Sequence, residues 1–293
     1  MTSREADLGL ESRVTAVAEN NVEGSRRMKR RKRSTFWRVR DDIPRRLEIT
    51  LIAISLISPL AIWSALYASG HFSLFAVPSP LGTAETGYRM LTDGPLLGDA
   101  QISTQRVAIG FGFSLLIAVP LGLGMGTFTS IRALFEPVIA ALRYPPATAF
   151  TLLFVIWFGL DETPKVALVF YGTVFFNTLM IANVVWSVPS EMIKAAQTLG
   201  ASSFSVFRKV ILPHSIPGVI DTARVNLAAA WNLIIVVELI AADEGLGRRI
   251  VNSQKFLRTE EIFVVIVTIG LIGVCTDMGL RVLRNRLSPW SQE

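Results

Sequence analysis

Ile49–Gly70 (ITLIAISLISPLAIWSALYASG) contains no charged residue. A helix needs about 20 predominantly apolar residues to cross the hydrocarbon core of a bilayer. Comparable runs recur at Val107–Phe128, Pro137–Leu160, Val166–Trp186, Val219–Ala242 and Ile262–Leu280. Arg143 and the Pro145–Pro146 pair interrupt the third of these. The chain is therefore expected to be an all-α integral membrane protein with about six transmembrane helices. Its composition agrees: 51% of the 293 residues are hydrophobic and 18% are charged, against about a quarter charged in ordinary soluble domains.

The net charge of +6 is concentrated rather than spread. Seven of the eight residues in Arg26–Arg33 (RRMKRRKR) are basic, and 13 of the 29 Lys and Arg residues fall in the first 46. A nuclear-targeting or nucleic-acid role is set aside, because a spanning segment follows closely and positive charge beside such a segment anchors it on the cytoplasmic side. Residues 1–46 thus read as a basic, disordered cytoplasmic tail, and 47–290 as the transmembrane domain. The first apolar run is too long for a cleavable signal peptide and reads as a signal anchor. Six crossings return Arg281, Arg284 and Arg286 to the cytoplasm, so both termini are cytoplasmic. Residues 71–102 and 243–261 then face outward. Arg248, Arg249, Lys255 and Arg258 in the second outer loop run against the charge rule, although acidic residues flank them. No internal repeat is visible.

Few residues suggest catalysis. His71 and His214 are far apart in sequence, and HExxH, GxSxG and CxxC motifs are absent. Without a GxxxxGK[ST] loop the chain cannot bind ATP by that route. Neither a metal nor a cofactor is expected in it. Cys275 is a lone thiol inside an apolar run and reads as a small packing residue. Gly122, Gly124 and Gly126 end a transmembrane segment, where small residues allow close helix approach.

The most distinctive stretch is KAAQTLGASSFSVFRKVILP (194–213), too polar to span and too apolar for a solvated loop. Ser187 or Ser190 is placed to cap a short helix, with Glu191 favouring its N-terminal dipole. Gly200 is placed to end that helix in a left-handed conformation. Ser202 or Ser203 can cap a second helix, on which Phe204, Phe207 and Val210 or Ile211 share a face. Pro213 is expected to stop it, and Pro217 to mark entry to the next span. The result is a cytoplasmic helix–Gly–helix hairpin at about 187–217. Two uses stay open on these grounds: lying in the headgroup layer or docking into a groove of a partner.

KAAQTLGASSFSVFRKVILPHSIPGVI resembles the EAA loop of ABC-importer permeases, with Ala195, Ala196, Gly200, Ile211, Pro213 and Pro217 matching its pattern. STQRVAIGF (103–111), LRYPPATAFTLLFVIWFGLDE (142–162) and EGLGRRIVNSQKFLRTEEIF (244–263) are similar to the nitrate/sulfonate/taurine/bicarbonate branch. The likeness covers about residues 88–290. It implies a type I, MetI-like permease core in a bacterial inner membrane, working with a second permease copy. It also implies two cytoplasmic ATPases carrying ATP and Mg, and an extracytoplasmic solute-binding protein. By this resemblance the hairpin is the coupling element, with Lys194, Ala195, Ala196, Gly200, Ala201, Phe204, Phe207, Arg208, Leu212 and Pro213 facing or shaping the ATPase contact. Lys194 departs from the pattern, which has Glu there.

The implied cargo is a small anion: nitrate, bicarbonate, a sulfonate such as taurine, or an organic acid. An anion crossing a low-dielectric pore needs cationic or hydrogen-bonding help. Arg143 beside the proline break is one candidate, and Arg106 and Arg224 near helix ends are others. Orientation at the interface or ion pairing within the protein is an alternative use for all three. Asn177, Trp231, Asn232 and Glu238 are candidate pathway residues, Glu238 only if it is paired or protonated. A lone ion-driven secondary transporter is the main competing class. A scaffold or an intramembrane enzyme is disfavoured for want of a catalytic constellation.

Overall fold

The computed structural model describes residues 36, 43–70 and 77–291, and the regular elements among them are helical. The basic tail, apart from its last few residues, and His71 lie outside the described residues. Residues up to Ile62 form one compact unit and Trp63–Glu293 a second. Most of α1 (Arg45–Ala68) belongs to the first, and this helix buries none of its side chains.

The second unit contains α2 (Pro80–Thr92), α3 (Leu96–Thr127), α4 (Thr129–Leu142), α5 (Thr151–Phe158), α6 (Glu162–Trp186), α7 (Ser190–Thr198) and α8 (Ser203–Val206). It continues with α9 (Leu212–Ala241), α10 (Leu246–Lys255) and α11 (Thr259–Leu287). Helices α1, α3, α6, α9 and α11 are long and apolar enough to cross a membrane. The sixth expected span is a bent pair. Helix α4 and the pair formed by the 3₁₀ turn Ala147–Phe150 with α5 meet at 74°. The break follows from the sequence: proline restricts the residue before it to extended conformations, and Pro145–Pro146 does this twice.

The centre of the unit is the α3–α6 contact. Gly110, Ser114, Ala118, Gly122 and Gly126 follow at four-residue intervals, forming one ridge of small side chains. A Cβ on Gly122 would lie 2.8 Å from the Ile181 side chain and 2.8 Å from the Thr178 carbonyl. Gly126 is equally tight against Val185 and Ala182. On the other side of this pair, Trp231, Ile234 and Val237 of α9 pack with Val107, Leu168 and Val169. Helix α11 buries Val264 and Val265 near its outer end. It leaves Val267, Leu271, Val274, Met278 and Val282 exposed along one stripe.

Several boundaries differ from the sequence expectation. Helix α3 starts at Leu96 rather than Val107, so Arg106 lies inside the helix. Its first turns carry Asp99, Ser103 and Arg106, whose polarity hid them from a hydropathy reading although all three are buried. The outer residues 80–92, expected as loop, form α2, with Ser79 capping at the Gly82 N–H, 2.8 Å away. Helix α7 begins after Pro189 without a side-chain cap, so neither Ser187 nor Ser190 caps it. Pro213 does not stop the helix. It occupies the first turn of α9, where a missing N–H costs little, and a π turn at Phe207–Ile211 carries the chain into it. Pro217 is interior to α9. Cys275 is exposed rather than packed.

Candidate functional site

Three features are candidates for a functional site: the hairpin at 187–217, a cavity beside the α4–α5 break, and an ionic cluster where α3, α6 and α9 meet.

In the hairpin, Gly200 has φ +83°. Its N–H donates to the Gln197 carbonyl at 2.9 Å, and Ala201 N–H donates to Ala196 O at 3.0 Å. This is the paired bonding of a Schellman ending, which needs a left-handed residue at the bend. Ser202 Oγ then accepts from Ser205 N–H at 3.3 Å, capping α8. The π turn changes which side chains share a face. Val206 and Ile211, five apart, are buried with Val185 and Val188, and Phe207, Leu212, Ala196 and Ala201 pack partly against them. Phe204 points away, 68% exposed, and Leu199 is 89% exposed. The expected Phe204/Phe207 stripe is therefore split, although the two rings lie 6.4 Å apart. Lys194, Ala195 and Arg208 are exposed, while Pro213 is half-buried.

The cavity, about 340 Å³, lies where α6 and α9 pass the α4–α5 break. Arg143, Tyr171, Phe175, Phe176, Asn226 and Asn232 line it, and no carboxylate does. Tyr171 Oη donates to the Leu142 carbonyl at 3.3 Å, tying α6 to the break. Asn226 is held from behind: its Nδ2 donates to Asn177 Oδ1 at 2.8 Å, and Asn177 Nδ2 donates to Ser114 Oγ at 3.0 Å. Asn177 is buried and supports the wall rather than forming it. Trp231 lies in the core, its indole N–H without a hydrogen-bond partner among the described residues. Asn226 escaped sequence reasoning. Its signal was the face it shares with Ala229 and Leu233 at helical spacing.

At the outer ends of α3, α6 and α9, Arg106 Nη1 lies 2.7 Å from Glu238 Oε1, and Nη2 lies 2.7 Å from Glu162 Oε1. Lys165 Nζ reaches the same Glu162 oxygen at 2.8 Å. Glu238, wholly buried, also accepts from Ser103 Oγ and from the Gly247 N–H, both at 2.8 Å. Arg106 Nη1 donates to Glu244 O at 2.8 Å, and Asp99 joins the Gly245 N–H and Arg249. Glu238 is thus paired with a cation rather than set on the cavity wall. Arg224 is likewise paired, its Nε 2.8 Å from Asp277 Oδ1. Sequence offered each charge singly; the pairing between helices was invisible.

Apolar helices of spanning length, a bent helix pair and a cavity with a few polar groups in a largely apolar wall define a multi-pass membrane protein. A family model described as "Binding-protein-dependent transport system inner membrane component" matches residues 117–289, and the chain belongs to that family. A probable ABC transporter permease protein of Brucella abortus (strain 2308) is 34% identical over 230 residues, 78% of this chain and 91% of that one. The taurine transport system permease protein of Escherichia coli (strain K12) is 32% identical over 252 residues, 84% and 91% of the two chains. An inward-facing structure of the MetNI methionine ABC transporter matches with TM-score 0.53 and 16% identity, covering 63% of this chain and 95% of that chain. That last likeness concerns the fold. The chain is the transmembrane permease subunit of an ABC importer.

Proposed function

We propose that this permease pairs with a second copy of itself to form the path for a small anion of the sulfonate class. Two cytoplasmic ATPases, holding ATP and Mg, drive it through the hairpin at 187–217, and an extracytoplasmic binding protein delivers the cargo. The sulfonate class is suggested by the taurine relative. The observation that carries the coupling reading is the outward pair Leu199 and Phe204 on a hairpin whose other face is fixed to the permease. An element anchored on one side and apolar on the other suits a partner groove. Lys194, exposed on the same hairpin, calls for an acidic position on the ATPase where the family pattern suggests a basic one.

Closure of the ATPases displaces the hairpins, and through the π turn the push passes directly into α9, which lines the cavity. Linkage makes the coupling reciprocal, so cargo arrival also biases the ATPases. The test is ATP hydrolysis by the assembled importer. Binding protein loaded with taurine is expected to stimulate hydrolysis only when the permease is present. Stimulation that does not depend on the permease contradicts the reading.

A further inference from the structure

We propose that the cavity beside the α4–α5 break is a monoanion-binding site belonging to the permease itself. It would take a compact sulfonate or carboxylate head on a short tail, and Arg143 is its cation. The site deepens the importer reading above and relies on it only for its physiological role.

Arg143 differs from the basic residues buried or half-buried among the packed spanning helices. Arg106, Arg132, Lys165 and Arg224 each have a carboxylate within 2.9 Å. Arg143 has none among the described residues; its guanidinium lies over the Tyr144 ring, 5.6 Å from the centroid. Its depth is the second point. Tyr171 lies about 14 Å along α6 from Glu162, and Asn232 about 14 Å along α9 from Ala241. Both helices start or end at the outer ionic cluster, so the cavity sits near the middle of a hydrocarbon core of about 30 Å. An unpaired cation at that depth is costly unless it faces a polar path with a partner to receive.

The remaining wall fits an anion. Asn232 has no side-chain hydrogen bond among the described residues, leaving its amide free to donate. Asn226 is held in place by the buried Asn177–Ser114 relay, so the α9 wall is rigid where it meets the cavity. One cation and no carboxylate select a single negative charge over two. Tyr171, Phe175 and Phe176 offer ring faces to a short aliphatic or ammonium-bearing tail. The volume, about 340 Å³, admits an organic ion of a few heavy atoms.

Methanesulfonate and its neutral counterpart dimethyl sulfone test the site by saturation-transfer NMR on the full-length permease in nanodiscs, without binding protein or ATPase. Methanesulfonate is expected to show transfer that taurine displaces and dimethyl sulfone does not. Arg143→Gln should weaken binding roughly tenfold or more, the loss of a charge-assisted contact. Arg143→Lys, which keeps the charge, should retain part of it, and Asn232→Ala should weaken it several-fold at unchanged thermal stability. Equal binding of the neutral probe, undiminished binding in Arg143→Gln, or no methanesulfonate binding in the wild-type chain overturns the site. Each of these leaves the importer reading standing, because ATPase coupling is measured without reference to this cavity.

Discussion

Arg106 on α3 and Glu238 on α9 meet at 2.7 Å in a place where Glu238 has no solvent exposure at all. Ser103, the Gly247 N–H, Glu162 and the Glu244 carbonyl supply the other hydrogen bonds around them. The cluster joins three spanning helices and the start of α10 at the outer mouth. Any rearrangement that opens this end has to separate or carry these charges together.

Breaking one side of that pair is therefore expected to be expensive. Arg106→Leu strands the wholly buried Glu238 and should cost about 3–5 kcal/mol, whereas Glu238→Leu leaves Arg106 paired with Glu162 and should cost less. Replacing both should be milder than the sum, since no opposed charge is left without a partner. Thermal unfolding of the detergent-solubilised single and double variants measures this coupling.

Gly122 and Gly126 set the distance between α3 and α6. Gly122→Leu places side-chain atoms where Ile181 and the Thr178 carbonyl already are, and backbone cannot yield as a side-chain tip can. Overpacking of this kind costs about 1–3 kcal/mol or more. The expected result is a lower unfolding temperature and poor membrane yield. Gly112→Leu, with open space around its Cβ position, serves as the tolerated control.

Gly200 tests the hairpin without touching its packing. Nothing lies within 4 Å of a Cβ built there, so the penalty of Gly200→Val comes from φ +83° alone. A left-handed β-branched residue is disfavoured by about 1–2 kcal/mol. The variant should insert normally yet lose coupling, read as ATP hydrolysis that continues while uptake falls. Gly200→Asn, which tolerates the left-handed region, should stay close to wild type.

The two phenylalanines of the hairpin are expected to behave differently. Phe204→Asp alters the outward face and should weaken co-purification of the ATPase while leaving permease stability unchanged. Phe207→Asp places a charge against the Val206–Ile211 cluster and should destabilise the hairpin itself. Measuring ATPase retention and thermal stability on both variants separates the two roles.

The helical membrane class was legible because charge-free runs of spanning length leave a chain few alternatives. The Gly200 bend was legible too, since a glycine after a short run of helix formers has a specific conformational use. The boundaries of α3 and α9 were not. Asp99, Ser103 and Arg106 lie on the buried face of a helix, and hydropathy treats them as loop because it cannot see their partners on α9 and α10. The Phe204/Phe207 face misled for a geometric reason: a π turn aligns residues five apart, while the expectation used spacings of three and four. The cavity drew on residues from three separate segments, and only Arg143 and Asn232 among its polar lining stood out beforehand.

Uptake energetics test the central claim most directly. Proteoliposomes containing the permease, its ATPase and its binding protein are loaded with ATP on the ATPase side, and labelled taurine entry is followed. The account predicts accumulation that requires ATP and the ATPase and that persists when ion gradients are collapsed. Gradient-driven accumulation by the permease alone, with the ATPase and ATP omitted, would contradict it.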